Sequence, residues 1–229
     1  MKTTTWFITP KTNLHVGNED TSNYGLIDKM IQRDVITGLP CINASSLKGA
    51  LNEHCCETMD GDTRLRLFGS DKLQKGESRK GQVKFFDARL LFLPMQDDQN
   101  LYVLATAVEV INDFMKHMAL FGLTFDVKTD EESLSQWIGH RVKVVDYKLF
   151  SEMCSDDNLP IIARNRVEFG ESKSLWYEQV LPRESLLYTI IQEQQEEISG
   201  MLDDRIIQIG ANATVGYGYC QFRKAINPK

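Results

Sequence analysis

Strand-like and helix-like patterns of hydrophobic and polar residues alternate along the chain. Runs rich in β-branched and aromatic residues predict strands at TTTWFIT, GQVKFFDARLLFLP, NLYVLATA, RVKVVDYKLF, RIIQIG and YGYCQFRKA. Apolar residues at helical spacing predict helices over 46–59, 108–121 and 184–199. The resulting order of strand, helix, strand, strand, helix and strand is typical of a ferredoxin-like unit with insertions. The predicted fold class is therefore α+β.

The sequence GLPCINASSLKGAL, over 38–51, contains the start of the first predicted helix. Ser45 or Ser46 is expected to cap its first turn, because the preceding residues favour a turn. Lys48 adds a positive charge to the free N–H groups of that turn, a combination that favours an anion. A capped core helix with a surface lysine is the simpler interpretation of the spacing alone.

Composition restricts the class of protein. The 229 residues, 42% of them hydrophobic, are enough for one large core or two small ones. No apolar run approaches the length of a membrane span, and the first residues lack the apolar core of a secretory signal. The five cysteines show no C-x-x-C spacing, which argues against structural zinc and favours reduced thiols. We therefore expect a cytoplasmic protein with no membrane partner.

Charge is distributed unevenly along the chain. The net charge is −6, which by itself speaks against a nucleic-acid-binding protein. Residues 63–90, however, carry 8 basic and 3 acidic side chains, and residues 205–229 carry 4 basic and none acidic. Two basic segments on an acidic protein suit binding of a polyanion on one side. Solvated charge explains either segment alone.

A glycine-rich segment, GANATVGYG, precedes the last predicted strand. Glycine permits positive φ and close approach of the backbone to a ligand, but tight turns between strands use the same residues. Beside Tyr217 and Tyr219, the segment is suited to holding phosphates while the aromatic rings stack on bases.

Six segments occur together in one order: LHVG (14–17), GLIDKMIQRD (25–34), TGLPCINASSLKGAL (37–51), VKFFDARLLFLP (83–94), LWYEQVLP (175–182) and IQIGANATVGYG (207–218). This set resembles the repeated backbone subunit of type III-B CRISPR effector complexes, the Cmr-type member of the RAMP superfamily. LWYEQVLP favours the Cmr type over the sister type III-A subunit. The chain departs from the family pattern with CINASS in place of the commoner IPGSS and with GAN in place of GGN.

The resemblance implies an architecture and a set of partners. It implies a single RAMP domain over 1–229, with a modified ferredoxin-like core similar to an RNA-recognition module and a thumb hairpin within 145–182. Copies would stack head to tail along a guide RNA, beside other Cmr subunits and a paired target RNA. Each copy would hold the guide through its backbone phosphates, so guide sequence would matter little.

The resemblance also implies site residues. RNA contacts are expected from Arg33, Ser45, Ser46, Lys48, Gly210, Asn212, Gly216 and Gly218. Cleavage of target RNA is expected at Asp28, which would also bind a divalent metal, expected to be Mg²⁺. Assisting catalytic roles are expected for His15, Tyr177 and Glu178. In-line attack by the 2′-OH would leave a cyclic phosphate and a 5′-OH.

Three functions remain compatible with the sequence. The first is a guide-binding backbone subunit that also cleaves target RNA, and the second is a catalytically inactive structural backbone subunit. The third is a guide-precursor-processing endoribonuclease of the same superfamily, with His15 as general base. A metal requirement distinguishes the first from the third, because self-cleavage of RNA driven by histidine needs no metal.

Overall fold

A computed structural model describes residues 1–17, 27–70 and 78–228. The first two residues of the GLIDKMIQRD segment (25–34) and residues 71–77 of the basic segment over 63–90 therefore lie outside the described residues. Along the chain the elements are β1 (Lys2–Pro10), β2 (Cys41–Ile42), α1 (Ala44–Cys55), α2 (Gly61–Phe68), β3 (Lys84–Phe85), β4 (Ala88–Met95), β5 (Val103–Ala107), α3 (Val108–Leu120), α4 (Glu131–Ile138), β6 (Val142–Val145), α5 (Tyr147–Met153), β7 (Ile161–Glu168), β8 (Glu171–Gln179), β9 (Leu186–Glu193), α6 (Ser199–Leu202), β10 (Ile206–Gln208) and β11 (Tyr219–Lys224), with a short 3-10 helix at Ala213–Val215.

The central sheet has the strand arrangement of a ferredoxin-like unit. Its strands run in the order β10-β11-β1-β9-β4-β5-β6. In the middle of the sheet, β1 pairs antiparallel with both β11 and β9, and β9 pairs antiparallel with β4. Strand β9 thus separates β1 from β4, and α1 lies between these two strands in sequence, which is the split β-α-β arrangement. The predicted fold class is confirmed.

The core lies on both faces of the central sheet. Helix α1 packs against β3 and β10, whereas α3 packs against β4 and β5. Neighbouring residues of β9, Leu187 and Tyr188, are both buried although their side chains point to opposite faces. The ring of Phe114 on α3 meets the ring of Tyr188 edge-on at 4.8 Å. Both faces of β9 are therefore covered.

The predicted helix over 184–199 is wrong, because half of this segment, Leu186–Glu193, forms strand β9. Its apolar run, LLYTII, fits a buried strand as well as a helix, and periodicity cannot separate the two. Pairing with β1 on one side and with β3 and β4 on the other satisfies its backbone groups. The β-branched Ile190 and Ile191 also favour a strand.

Other boundaries differ locally from the predictions. Helix α1 begins at Ala44 with Asn43 at the N-cap position, so neither Ser45 nor Ser46 caps it. The predicted strand RVKVVDYKLF is a strand only as far as Val145. The side chain of Asp146 then caps α5 by accepting a hydrogen bond from the N–H of Leu149 at 2.9 Å. The predicted helix over 108–121 is confirmed as α3.

Strands β7 and β8 form a separate two-stranded antiparallel sheet. Phe169 and Gly170 join them, both with positive φ, and the Phe169 side chain is fully exposed. This hairpin lies within 145–182, the interval in which the sequence predicts a thumb. Among the residues that the structure describes, no helix is long and apolar enough to cross a membrane.

Candidate functional site

Backbone hydrogen bonds bring together four segments at the base of the β7–β8 hairpin: 14–17, 28–33, 177–181 and 209–218. The N–H of Gln179 donates to the carbonyl of Lys29 at 2.9 Å. The N–H of Ala211 donates to the carbonyl of His15, also at 2.9 Å. Main-chain bonds of this kind hold the segments in place independently of side-chain rotamers. The sequence motifs that are far apart along the chain therefore share one site.

Asp28 lies at the surface of this site against β8. Its N–H donates to the carbonyl of Tyr177 at 3.1 Å, and its Oδ2 accepts a hydrogen bond from the N–H of Tyr177 at 2.7 Å. The residue remains exposed. The structure thus presents a carboxylate in a defined orientation at the foot of the hairpin.

Glu178 is completely buried, yet its carboxylate is well supplied with donors. Oε1 accepts hydrogen bonds from Lys29 Nζ at 2.9 Å and from Trp176 Nε1 at 2.8 Å, and Oε2 accepts one from Asn212 Nδ2 at 2.8 Å. Burial by itself raises the pKa of Glu178, but the bonds from Trp176 and Lys29 and the Lys29 charge lower that pKa overall. The carboxylate is therefore ionised at neutral pH and committed to partners within the chain.

His15 and Tyr177, the two other residues expected to assist catalysis, differ in exposure. His15 is buried, with Nδ1 2.7 Å from the carbonyl oxygen of Gln179. Tyr177 keeps 41% of its surface exposed, on the face of β8 opposite Glu178. A buried, hydrogen-bonded His15 argues against the processing endoribonuclease, which needs this ring at the RNA. Of His15, Tyr177 and Glu178, only Tyr177 has a side chain exposed to solvent.

The start of α1 is partly satisfied by groups of the chain itself. The N–H of Ala44 donates to Asp87 Oδ1 at 2.6 Å, so a carboxylate already occupies one position at the helix end. The amide of Gln32 binds the N–H of Asn43 through Oε1 at 2.8 Å and Ser46 Oγ through Nε2 at 3.0 Å. Ser45 remains exposed. Of the two serines, Ser45 is therefore the one with an exposed side chain, whereas Ser46 is hydrogen-bonded to Gln32.

Lys48, the fifth residue of α1, is exposed to solvent. Sequence analysis identified this residue but missed both Gln32 and Asp87. Gln32 lies inside the GLIDKMIQRD segment, and its place in that segment was the available signal. No spacing in the sequence connects Asp87 with α1.

Arg33, an expected phosphate contact, makes its hydrogen bonds within the chain. Its Nη1 donates to the carbonyls of Gly38 at 2.8 Å and Cys154 at 2.7 Å. Its Nη2 lies 2.7 Å from Asp156 Oδ1. These contacts hold the 154–156 segment against the 33–38 turn, so the geometry indicates a structural role for the guanidinium.

The glycine-rich loop contains two kinds of glycine. A Cβ on Gly210 would lie 2.3 Å from the carbonyl oxygen of His15, and a Cβ on Gly218 would lie 1.9 Å from that of Ile209. Both therefore serve close packing within the chain. Gly216 also has positive φ, but a Cβ there meets no atom within 4 Å. Beside this loop, the Arg164 guanidinium lies 5.4 Å from the centre of the Tyr217 ring.

The residues do not form a complete metal cage. Within residues 1–17, 27–70 and 78–228, no group of three or more His, Cys, Asp or Glu side chains is arranged to hold a metal ion. Mg²⁺ nevertheless often binds through one or two carboxylates, several waters and substrate phosphates. Asp28 is exposed and fits that mode of binding, whereas Glu178 is buried and already hydrogen-bonded.

Comparison of the sequence with known families and proteins identifies its relatives. Residues 7–221 match the family model of the RAMP superfamily. The chain is 25% identical over 260 aligned positions to the CRISPR system Cmr endoribonuclease Cmr4 of Pyrococcus furiosus, an alignment that covers 85% of this chain and 87% of that protein. It is 36% identical over 91 residues to the CRISPR system Cms endoribonuclease Csm3 of Streptococcus thermophilus, covering 35% and 40% of the two chains.

Solved structures share the fold. A chain in the cryo-EM structure of the type III-B Cmr-beta complex bound to cognate target RNA superposes with a TM-score of 0.76 at 18% identity, covering 98% of each chain. The crystal structure of oligomeric Cmr4 from Pyrococcus furiosus superposes with a TM-score of 0.72 at 19% identity, covering 99% of this chain and 100% of that one. Both comparisons extend over the whole molecule and not over the ferredoxin-like core alone.

Proposed function

This chain belongs to the RAMP superfamily, and we propose that it is a guide-RNA-binding backbone subunit of a type III-B (Cmr) CRISPR ribonucleoprotein that also cleaves guide-paired target RNA. One observation carries the cleavage part of the proposal. Asp28 is an exposed carboxylate whose orientation is set by two hydrogen bonds to the main chain of Tyr177. A group held in this way can act on RNA without first being ordered.

The relatives support the partners. The curated relative that aligns over most of the chain is an endoribonuclease of the Cmr system, and the structural relatives include an oligomeric Cmr4 and a complex with target RNA. We therefore propose that this chain assembles with copies of itself and with other Cmr subunits on guide RNA. A head-to-tail contact pairs two different surfaces, so the number of copies is open-ended.

RNA binding is assigned to exposed groups near the site. Ser45 and Lys48, the second and fifth residues of α1, would contact guide phosphates, and Gly216 lies where a side chain would meet open space. Gly210, Asn212 and Gly218 would keep this loop in shape. The β7–β8 hairpin is proposed as the thumb of a single domain, since it protrudes as a separate sheet within 145–182.

The reaction is proposed at Asp28. Its carboxylate would orient the 2′-OH of the target for in-line attack on the adjacent phosphate, which yields a cyclic phosphate and a 5′-OH. Asp28 would also be the protein ligand of a divalent metal, and bound Mg²⁺ would offset negative charge at the scissile phosphate. His15 would position the backbone of β8 through its bond to the Gln179 carbonyl. The Tyr177 side chain is exposed beside the same strand and is available for contact with RNA.

The test uses the assembled complex with guide RNA and an end-labelled target, with and without Mg²⁺. Asp28→Asn removes the charge but keeps an oxygen that accepts from the N–H of Tyr177. We expect target cleavage to fall by at least about 100-fold, a typical effect of losing an acid–base group, while target binding stays within about twofold. Regularly spaced products that persist in the variant would exclude Asp28. A wild type that binds target but leaves it intact would establish the inactive backbone subunit instead.

A further inference from the structure

We propose that Glu178 is a positioning residue that fastens Asp28 to the base of the β7–β8 hairpin, so that the hairpin and the cleaving carboxylate move as one unit. The place at which target RNA is cut would then be set by the base of the hairpin. This inference rests on the proposed cleavage function.

The first support is the set of partners around the buried carboxylate of Glu178. Its hydrogen bonds reach Lys29 in the 28–33 segment, Trp176 on β8 and Asn212 in the glycine-rich loop. A fourth group, Arg164 Nη1 on β7, lies 3.6 Å from Oε2. One side chain thus links both strands of the hairpin to the two segments that flank it.

A carboxylate is the group that this arrangement requires. Its two oxygens offer about four acceptor positions, whereas an amide at the same place has one oxygen and brings two donors of its own. Separation of Lys29 from Glu178 would leave the buried charge without a counter-ion on that side, which is unfavourable in a site closed to water. Lys29 is held further because its Nζ lies 5.3 Å from the centre of the Trp176 ring. The Glu178 carboxylate therefore stabilises the contact between the two strands of the hairpin, the 28–33 segment and the glycine-rich loop.

The second support is the position of Asp28 next to Lys29. Among the residues that the structure describes, the hydrogen bonds of Asp28 and Lys29 all go to 177–179 of β8. The N–H of Lys29 donates to the Tyr177 carbonyl at 3.2 Å, and its carbonyl accepts from Gln179. Displacement of the hairpin would therefore carry Asp28 with it for as long as the contact between Lys29 and Glu178 persists.

The central variant is Glu178→Gln in the full chain and in the assembled complex. Its matched control is Glu171→Gln, the same substitution on the same hairpin, where the carboxylate is exposed and pairs with Lys173 at the surface. Lys29→Met is a second route to the same loosening, and in it the buried carboxylate keeps Trp176, Asn212 and Arg164 as partners. The double variant Glu178→Gln with Asn212→Asp restores the hydrogen bond between positions 178 and 212 with donor and acceptor exchanged, because the new amide donates to the new carboxylate. Aspartate tolerates the positive φ of position 212.

Two measurements on these proteins separate positioning from general stability. The first is single-turnover cleavage of saturating target, analysed for rate and for product positions on a sequencing gel. For Glu178→Gln and Lys29→Met we expect a rate lower by about tenfold, as for loss of a supporting group behind a reactive one, and products spread to neighbouring positions. Guide and target affinity should stay within about twofold. Glu171→Gln should match the wild type, and the double variant should recover the regular products.

The second measurement is amide hydrogen exchange, which does not depend on cleavage. Exchange at Asp28 and Lys29, whose N–H groups both bond the Tyr177 carbonyl, should accelerate by about tenfold in Glu178→Gln and Lys29→Met, while exchange in β9 stays unchanged.

Each outcome decides the proposal. Unchanged exchange at 28–29 in Lys29→Met, or a slower cut at unaltered positions in both variants, would overturn it. If the amides of residues 28 and 29 exchange faster in the variants but the wild type never cleaves target RNA, the positioning role of Glu178 stands and the proposed cleavage function is refuted. If Glu178→Gln fails to fold, Lys29→Met gives the answer alone.

Discussion

Asp28 and Tyr177, which lie 149 residues apart, are joined by a pair of hydrogen bonds: the N–H of Asp28 to the Tyr177 carbonyl at 3.1 Å, and the N–H of Tyr177 to Asp28 Oδ2 at 2.7 Å. An exposed carboxylate ordinarily samples several rotamers. Here the N–H of Tyr177 on β8 holds the Asp28 carboxylate in one rotamer. The entropic cost of ordering this side chain therefore arises on folding and not on RNA binding. The orientation of the proposed catalytic group is therefore a property of the hairpin base.

The first prediction concerns Lys48. Lys48→Ala should weaken binding of unrelated guide RNAs to a similar degree, by about fivefold, since a charged contact contributes about 1 kcal/mol and phosphates are common to all sequences. The slope of log K against log salt should fall by about one counterion. Both quantities come from titrations of labelled RNA at several salt concentrations.

The matched control for Lys48 is Lys116→Ala, an exposed lysine on α3, away from the segments that meet at the site. It should leave affinity and slope unchanged. Equal effects of both substitutions would show that only net charge matters and that α1 makes no specific phosphate contact.

The second prediction compares two glycines of one loop that share positive φ. Gly216→Ala should destabilise the protein by about 1 kcal/mol, the cost of a side chain in the left-handed region, because a Cβ there has open space. Gly218→Ala should destabilise it by about 3 kcal/mol or more, because its Cβ would overlap the Ile209 carbonyl oxygen. Urea unfolding of both variants measures the difference. Similar values for the two would contradict the close approach at Gly218.

The third prediction concerns pH and His117, a half-buried residue on α3 whose Nδ1 lies 3.2 Å from the Tyr188 hydroxyl. Burial, together with the charge of Arg89, lowers the pKa of His117 below its ordinary 6.5. As pH falls through about 6.5, the unfolded chain binds a proton at this position before the folded chain does. The stability that the neutral ring contributes is present above that pH and is lost below it.

His117→Gln should therefore flatten the decline in unfolding free energy between about pH 7 and about pH 5 relative to the wild type. Carboxylates with lowered pKa, such as Glu178, change the free energy of unfolding at more acidic pH. They are present in both the wild type and His117→Gln, so they do not contribute to the difference. Parallel pH profiles for wild type and variant would show that His117 titrates alike in the folded and unfolded chains.

The sequence by itself determined the elements whose pattern is local. A run of β-branched and aromatic residues at TTTWFIT and helical spacing over 108–121 predicted β1 and α3, because such residues favour a strand and an amphipathic helix leaves its own period in the sequence. The resemblance also singled out Asp28, whose catalytic role stays a prediction, and gave 145–182 as the interval of a thumb, within which the β7–β8 hairpin lies. The order of the six segments was visible along the chain, but the meeting of four of them at the base of this hairpin was not.

The tertiary structure decided what local pattern leaves ambiguous. LLYTII became β9 because β1 on one side and β3 and β4 on the other supply its backbone partners, and those partners are far away in sequence. Arg33 became a structural residue because Cys154, 121 positions later, offers its carbonyl to the guanidinium. Glu178 became the centre of the site for the same reason: three of the groups that bind its carboxylate come from other segments. The period of apolar residues shows which face of a helix or strand is buried. The residues that pack against that face are distant in sequence, so local pattern cannot identify them.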